Sequence, residues 1–180
     1  MGTSERFLIP HVLDVVVNEK PKTVLDVGAG YGKYGILVRE YAETDRVDGL
    51  DIGPPRYPAY DHFYVGDVRE VDRVLPPDAP RYDLALFLEV IEHLDKADGL
   101  AVLEMLTRRA KRVLVSTPLG FRRQEIDGLP YETHRSGWYP WDFRRFRVHR
   151  LRIPPGSWSR LLHIPRLWQI VALISEPGRD

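Results

Sequence analysis

The stretch VLDVGAGYGKYG, residues 24–35, restricts the possible folds of this chain more than any other segment. Four largely apolar residues run directly into a loop with glycine at every second position, at Gly28, Gly30 and Gly32. Glycine adopts left-handed backbone conformations at little cost and leaves the backbone open to close approach. The pattern therefore predicts a buried strand, a tight turn at its carboxyl end and a helix behind the turn.

Apolar runs and helix-sized connections alternate along the chain, which is typical of α/β proteins with parallel strands and right-handed crossovers. An opening helix is predicted over residues 10–19, and apolar residues at helical spacing mark further helices around Leu37 and Leu103. Predicted strands cover residues 23–27, 46–51, 62–67, 83–88 and 112–117, followed by an antiparallel edge pair at 146–153 and 168–175. The expected fold is a single-domain α/β protein with a doubly wound, mostly parallel sheet and an antiparallel C-terminal edge pair.

The composition excludes several kinds of site. The chain has no cysteine, which rules out a disulfide framework, a thiolate metal site and a cysteine nucleophile. Charges interrupt the N-terminal apolar stretch, and the apolar segment 161–174 is broken by polar residues, so we expect a cytoplasmic protein without a secretory signal or membrane contact. The net charge is zero, but acidic residues prevail early and arginine late. Such arginine runs form either a solvated face or a surface for an anionic substrate or nucleic acid.

The position of the glycine loop indicates a ligand site. In a doubly wound sheet, ligands bind beyond the carboxyl ends of the strands, next to the first glycine turn. Dinucleotides and S-adenosylmethionine both use a glycine turn at that place. The dinucleotide fingerprint requires a third glycine where this chain has Lys33, and the formal match at Gly30, Gly32 and Gly35 begins two residues late. A turn that serves only chain reversal is the remaining alternative.

Acidic residues stand at the ends of three successive predicted strands. Asp51 ends the second strand, where a carboxylate can accept hydrogen bonds from both ribose hydroxyls of an adenosine. Asp67 ends the third strand and can accept from the adenine amino group, with the backbone of Val68 beside the ring. Glu89 directly follows the fourth strand. Each acid alone is typical of a helix cap or a solvated loop, but three at successive strand ends favour a nucleoside site.

These segments together resemble the class I S-adenosylmethionine-dependent methyltransferases, a Rossmann-like family. VLDVGAGYGKYG is similar to their first motif, VDGLDI to their second-strand acid, YVGDV to their adenine-binding turn and YDLALFLEVIEHL to their fourth strand. The resemblance implies methyl transfer from S-adenosylmethionine within one domain, 1–180. The cofactor-binding core would cover about residues 20–120, and a substrate-side segment would cover about 119–145.

The resemblance also implies which residues bind the cofactor. Asp26 and the glycine backbone would hold the methionine part, Asp51 the ribose, and Asp67 and Val68 the adenine, while the backbone near Glu89 would hold the amino group. The implied cofactor-binding residues are Asp26, Gly28, Gly30, Asp51, Ile52, Asp67, Val68 and Glu89.

Methyl transfer from a sulfonium depends mainly on aligning the acceptor with the methyl–sulfur bond. A hydroxyl acceptor must also lose its proton to a base or be acidified by a cation. His93 in EVIEHL and His134 in ETHRSGW are the candidate catalytic residues, both expected at the carboxyl end of the sheet. Helical spacing predicts that Glu89, Glu92 and His93 share one face of a turn.

Glu89, Glu92, His93 and His134 resemble, by residue type, the divalent-metal set of small-RNA 2′-O-methyltransferases. Two carboxylates and two imidazoles suit Mg²⁺ or, better for the nitrogens, Mn²⁺. Segments like EVIEHL also occur widely in class I enzymes that use no metal. We therefore favour a metal-free histidine base and keep the metal site as the alternative.

Segment 119–145 is expected to cover the acceptor, because aromatic and arginine side chains are concentrated in it. Its candidate residues are Phe121, Arg122, Arg123, Tyr131, His134, Arg135, Trp138, Tyr139 and Trp141. They suit an anionic or aromatic acceptor, or equally the packing of a long loop.

The leading hypothesis is O-methylation of a small molecule, with nucleic acid not expected as a partner. A metal-dependent RNA 2′-O-methyltransferase and a non-catalytic S-adenosylmethionine-binding module are the alternatives. An acceptor site without a cap domain would be open or closed by a second subunit, so a homodimer is a further possibility.

Overall fold

A computed structural model describes residues 6–155 and 168–178. Its centre is one seven-stranded sheet with the spatial order β3-β2-β1-β4-β5-β7-β6. The strands are β1 (Thr23–Val27), β2 (Arg46–Asp51), β3 (His62–Val65), β4 (Tyr82–Leu88), β5 (Ala110–Pro118), β6 (Arg147–Arg152) and β7 (Gln169–Ser175). The first five strands are parallel, whereas β7 runs antiparallel to both β5 and β6. The predicted doubly wound sheet with an antiparallel edge pair is confirmed.

Four α-helices flank the sheet in the described part of the chain: α1 (Ile9–Glu19), α2 (Lys33–Tyr41), the single turn α3 (Val71–Val74) and α4 (Lys96–Arg109). Short 3₁₀ turns join them to the strands, including one at Val68–Glu70 and one at Ile91–His93. None of these helices combines the length and the hydropathy needed to span a bilayer.

The predicted strand ends differ from the observed ones by up to two residues. The structure ends β3 at Val65 because Asp67 caps the next 3₁₀ turn, accepting the backbone N–H of Arg69 at 2.9 Å. It starts β4 one residue early, at Tyr82, whose buried hydroxyl donates to Asp48 at 2.6 Å. A local cap therefore sets the end of β3, and a long-range contact sets the start of β4.

Alternate residues of the central strands pack against opposite layers. Leu84 and Leu86 of β4 belong to the apolar cluster that includes Val16 of α1. Ala85 and Phe87 belong to the cluster that includes Leu103 of α4. Both faces of β4 are therefore buried, which explains why its sequence is an unbroken apolar run rather than an alternating one.

The segment that follows β5 crosses the carboxyl end of the sheet and is held there by Trp138. Its ring is fully buried, in contact range of α4, and its backbone carbonyl accepts the N–H of Gly120 at 2.7 Å. Lys96 of α4 lies 3.8 Å from the centre of the same ring and donates to the carbonyl of Gly137 at 2.7 Å. This anchoring places the substrate-side residues above the strand ends.

Candidate active site

The glycine loop after β1 turns back sharply beside β2. Gly28, Gly30 and Gly32 all have positive φ, which other residues rarely adopt. The backbone N–H of Gly28 donates to the carbonyl of Leu50 at 2.8 Å. An added Cβ at Gly28 would lie 2.2 Å from Val90, so no larger residue fits there without a shift.

One cavity of about 380 Å³ lies at the carboxyl ends of the parallel strands. It collects all eight residues implied to bind the cofactor: Asp26, Gly28, Gly30, Asp51, Ile52, Asp67, Val68 and Glu89. An added Cβ at Gly30 would meet nothing within 4 Å, so the backbone there is bare toward open space. The carboxyl-rich lining and the bare loop fit a cationic nucleoside ligand such as S-adenosylmethionine.

Asp51 is buried and fastens the loop while lining the cavity. One carboxylate oxygen accepts the N–H of Gly30 at 2.8 Å, and the other lies 3.4 Å from the N–H of Gly53. An ionised carboxylate accepts about four hydrogen bonds. Asp51 therefore keeps acceptor capacity for two ribose hydroxyls.

The carboxylate of Asp67 is engaged by a neighbouring guanidinium. Arg69 approaches it through Nε at 3.0 Å and a terminal nitrogen at 2.5 Å. These hydrogen bonds, more than any other cause, lower the pKa of Asp67. The backbone of Val68 follows in the 3₁₀ turn, so the turn presents main-chain groups next to the carboxylate.

Asp26 is the most buried of the implied cofactor residues, with 2% of its surface exposed. The Tyr60 hydroxyl donates to its carboxyl at 2.7 Å. Burial raises the pKa of Asp26 to about 6, against the opposing effect of the Tyr60 hydrogen bond. The Tyr60 ring fills the space beside Gly35, where an added Cβ would lie 2.6 Å from it. The sequence analysis did not identify Tyr60, because it stands in an aperiodic loop.

Glu89 does not share a helical face with Glu92 and His93, because the 3₁₀ turn starts only at Ile91. Its backbone has a φ of 57°, unusual for a residue with a side chain. The Ser116 hydroxyl donates to its carboxylate at 3.0 Å, and the Gln169 amide lies at 3.3 Å. These contacts from β5 and β7 hold the side chain of Glu89.

Three of the four candidate metal-ligating residues come together. Each of Glu92, His93 and His134 offers one ligand atom, and these atoms all lie within 4.8 Å of one another. Glu89 is not part of this group. Glu92 is 3% exposed, and its Oε2 has no hydrogen-bond partner among the described residues. Burial first, and then the carboxylate of Glu89, raise the pKa of Glu92 well above its ordinary value.

Both histidine rings are oriented by backbone carbonyls. Nδ1 of His134 lies 2.7 Å from the carbonyl of Arg122, and Nδ1 of His93 lies 3.3 Å from that of Thr133. A carbonyl only accepts, so each Nδ1 carries the proton and each Nε2 keeps a free lone pair. Burial lowers the pKa of both rings, which are therefore neutral near pH 7 and suited to accept a proton or bind a metal.

The substrate-side residues divide into two groups. The cavity is lined by Arg122, Tyr131, His134 and Arg135. Among the others, Trp138 is a core residue and Tyr139 stacks on Trp141 at 4.7 Å, outside the cavity. Cavity residues that the sequence analysis did not single out include Gln124, Ile126 and Glu132. Their proximity to aromatic and basic residues in segment 119–145 was the only signal for them.

Comparison with known proteins agrees with this geometry. A family model described as a methyltransferase domain matches residues 4–163, whereas no curated protein matches the chain. Magnesium protoporphyrin IX methyltransferase from Synechocystis PCC 6803, solved with bound SAH, is 17% identical with a TM-score of 0.66, over 94% of this chain and 82% of that one.

Two further solved structures are similar to the same extent. For 1,6-didemethyltoxoflavin-N1-methyltransferase from Burkholderia thailandensis the TM-score is 0.67 at 17% identity, over 93% of this chain and 76% of that one. For the methyltransferase domain of bacterial CtHen1-C, the TM-score is 0.66 at 19% identity, over 93% of this chain and 96% of that one. The chain therefore belongs to the methyltransferase-domain family, and it is an S-adenosylmethionine-dependent methyltransferase of the class I Rossmann-like fold.

Proposed function

We propose that this methyltransferase transfers the methyl group to a hydroxyl oxygen of a small molecule, with His134 as the base and His93 beside it. The observation that carries the proposal is the shared cavity, because the carboxylates implied to hold the cofactor and the imidazole of His134 line the same space. The contact of Nδ1 with the carbonyl of Arg122 leaves Nε2 as the basic nitrogen. A hydroxyl placed between the donor methyl and this nitrogen meets the requirement for in-line transfer.

In the proposed arrangement, Asp51 holds the ribose hydroxyls, with Ile52 beside the nucleoside, and Asp67 with Val68 faces the adenine. Asp26, Gly28 and Gly30 contact the methionine part of the cofactor, and the backbone at Glu89 accepts a hydrogen bond from the amino group of that part. S-adenosylmethionine supplies the activated methyl group on its sulfonium. The hydroxyl oxygen gains the methyl group as the methyl–sulfur bond breaks, and the hydroxyl proton passes to Nε2 of His134.

The test is turnover with purified protein and a panel of hydroxylated small molecules, followed by mass spectrometry. Replacement of the base, His134→Gln, is expected to lower the rate roughly 10²–10⁴-fold while S-adenosylmethionine affinity stays unchanged. His149→Gln is the matched control, because His149 bonds to Ser175 and does not line the cavity. An unchanged rate in His134→Gln would contradict the role of this histidine.

A second candidate, metal-dependent RNA 2′-O-methylation, is favoured by the cluster of Glu92, His93 and His134. Glu92 has an unpartnered Oε2, and one carboxylate oxygen and one nitrogen from each imidazole lie within 4.8 Å of one another, a donor set that suits Mn²⁺. A bound cation would supply acidification of the acceptor hydroxyl. In this case a chelator stops turnover and Mn²⁺ restores it, whereas turnover with a metal-free base is insensitive to the chelator.

The family assignment disfavours the third alternative from the sequence, a non-catalytic S-adenosylmethionine-binding module. Such a module would bind the cofactor and transfer no methyl group to any member of the panel, with or without Mn²⁺. The free Nε2 atoms beside the cofactor cavity support the enzymatic alternatives over this one.

A further inference from the structure

Two arginine side chains of segment 119–145 line the cavity near Glu92 and His134. Burial has the largest effect on the pKa of both of these residues, and the charge of Arg122 acts to lower the pKa of each. Arg122 follows β5, and Arg135 follows the 3₁₀ turn at Pro130–Glu132. In residues 6–155 and 168–178, neither guanidinium makes a hydrogen bond or an ion pair. Arg69, which lines the cofactor half of the same cavity, is instead bonded to Asp67. A guanidinium is a planar donor that pairs in a bidentate manner with carboxylate or phosphate.

The backbones of both arginines are fixed by the candidate catalytic cluster. The carbonyl of Arg122 accepts Nδ1 of His134 at 2.7 Å. The N–H of Arg135 donates to the carbonyl of Glu92 at 2.8 Å. The two side chains therefore start from positions tied directly to the proposed base. A ligand that places a hydroxyl at His134 brings the rest of its structure within reach of these cations.

Several other arginines of the basic C-terminal half are paired with carboxylates in the described part of the chain. Arg145 pairs with Glu104 at 2.7 Å. Arg150 and Arg152 both pair with Asp14, at 2.7 and 3.1 Å. These pairs neutralise part of the arginine run on the protein itself, which argues against an extended phosphate-binding surface for RNA.

Segment 119–145 also brings apolar residues to the cavity, together with the polar Gln124 and Glu132. The apolar residues are Ile126, Pro130 and Tyr131, and the side chains of Ile126 and Tyr131 are exposed. These apolar residues suit the body of a small aromatic or aliphatic ligand, because burial of exposed apolar surface favours binding. The cofactor half, in contrast, is lined by Asp26 and Asp51 and suits a cation.

We propose that the acceptor is a small hydroxylated organic acid with an apolar body, whose carboxylate or phosphate is bound by Arg122 and Arg135 while its hydroxyl faces His134. This proposal rests on the proposed function, because it assigns the substrate class of the same site. It gives a role to two guanidinium groups that line the cavity and make no hydrogen bond or ion pair within residues 6–155 and 168–178.

The test is calorimetry on protein saturated with S-adenosylhomocysteine. The probes are para-hydroxybenzoate, phenyl phosphate and the neutral para-hydroxybenzamide, which separate carboxylate, phosphate and uncharged ligands of similar shape. At least one anionic probe is expected to bind about tenfold more tightly than the amide. Arg122→Gln and Arg135→Gln each weaken this preference, and high salt reduces it.

Arg123→Gln is the matched control. Arg123 is adjacent in sequence and exposed like Arg122 and Arg135, but it does not line the cavity and lies 3.9 Å from Glu125. The anion preference is expected to survive in this variant. Equal binding of the three probes, no binding of any probe, or equal loss in the Arg122, Arg123 and Arg135 variants would overturn the proposal.

Failure of this proposal is distinguishable from failure of the proposed function. Affinity for S-adenosylhomocysteine is measured before the probes are added, and methyl transfer to neutral hydroxylated acceptors is assayed separately. Transfer to a neutral acceptor without anion preference would refute only the anion site. A short RNA that binds more tightly than every small probe, and depends on Arg123 as much as on Arg122, would overturn the proposal in favour of a nucleic-acid substrate.

Discussion

Asp26 makes the stability of the unliganded protein depend on pH in an unusual direction. Burial, together with the neighbouring Asp51, raises the pKa of Asp26 from 3.8 to about 6, and the Tyr60 hydrogen bond opposes part of this rise. The native state therefore holds the proton more tightly than the unfolded chain. The resulting stabilisation is complete below about pH 4 and is lost as the pH rises through about 6. A shift of roughly two units corresponds to about 3 kcal/mol.

The perturbation is Asp26→Asn, which cannot ionise but keeps an oxygen that accepts the Tyr60 hydroxyl. Urea unfolding, followed by tryptophan fluorescence, measures the free energy of unfolding of parent and variant between about pH 4 and about pH 7. The variant is expected to gain about 3 kcal/mol relative to the parent over this range. A stability difference that stays constant across the range would refute the reasoning.

Two further variants check the sign. Tyr60→Phe removes the hydrogen bond that favours the ionised carboxylate, so the loss of stability with rising pH should shift to higher pH. Asp61→Asn should behave in the opposite way to Asp26→Asn. Although burial raises the pKa of Asp61, the backbone N–H of Val47 and the guanidinium of Arg39 lower it overall. The stabilisation that Asp61 contributes is therefore complete above about pH 4 and is lost as the pH falls through its lowered native pKa, so its replacement should cost more at neutral pH than in strong acid.

Three further predictions concern cofactor binding, packing around Tyr60 and RNA binding. Asp51→Ala should weaken S-adenosylmethionine binding by about 1.5–3 kcal/mol in calorimetry, the usual value for a hydrogen bond to a charged group, and unchanged affinity would contradict the proposed ribose contact. Gly35→Ala should destabilise the protein by about 1–3 kcal/mol in urea unfolding, because its Cβ would lie 2.6 Å from the Tyr60 ring; an unchanged midpoint would show that this ring moves freely. Binding of short RNA should be weak, and submicromolar, strongly salt-dependent affinity in a filter assay would instead support the RNA hypothesis.

The fold was predictable because its strongest signals are local. The residues of β1 and β2 match the predicted strands in both limits. The first is a short apolar run that ends at glycine, and the second ends shortly before Gly53 and two prolines. The antiparallel β6–β7 pair was also predicted at an edge of the sheet, but the sequence did not predict which of the two strands lies next to β5. The structure inserts β7 between β5 and β6, a choice made by pairing between residues far apart in sequence.

The geometry of EVIEHL was harder to predict, because helical spacing assumes a helix. Glu89 lies before the 3₁₀ turn, with a positive φ, and is held by Ser116 and Gln169. The second of these partners is 80 residues away along the chain. Tyr60 illustrates the same limit, because its role depends on space left by Gly35 and Gly49 on other elements. Neither contact leaves a periodic pattern in the local sequence.

The opposite charge of the two halves of the chain acquires a specific meaning in the folded structure. Asp26 and Asp51 from the acidic half and Arg122 and Arg135 from the basic half line the same cavity, where we propose that the acids face the donor and the arginines the acceptor. Composition alone does not separate these arginines from Arg150, which Asp14 neutralises on the surface. The ion pairs formed in the folded protein decide which arginine side chains stay available to bind a ligand. A cation-binding side beside an anion-binding side is the arrangement expected if a sulfonium donor and an acidic acceptor meet in one cavity.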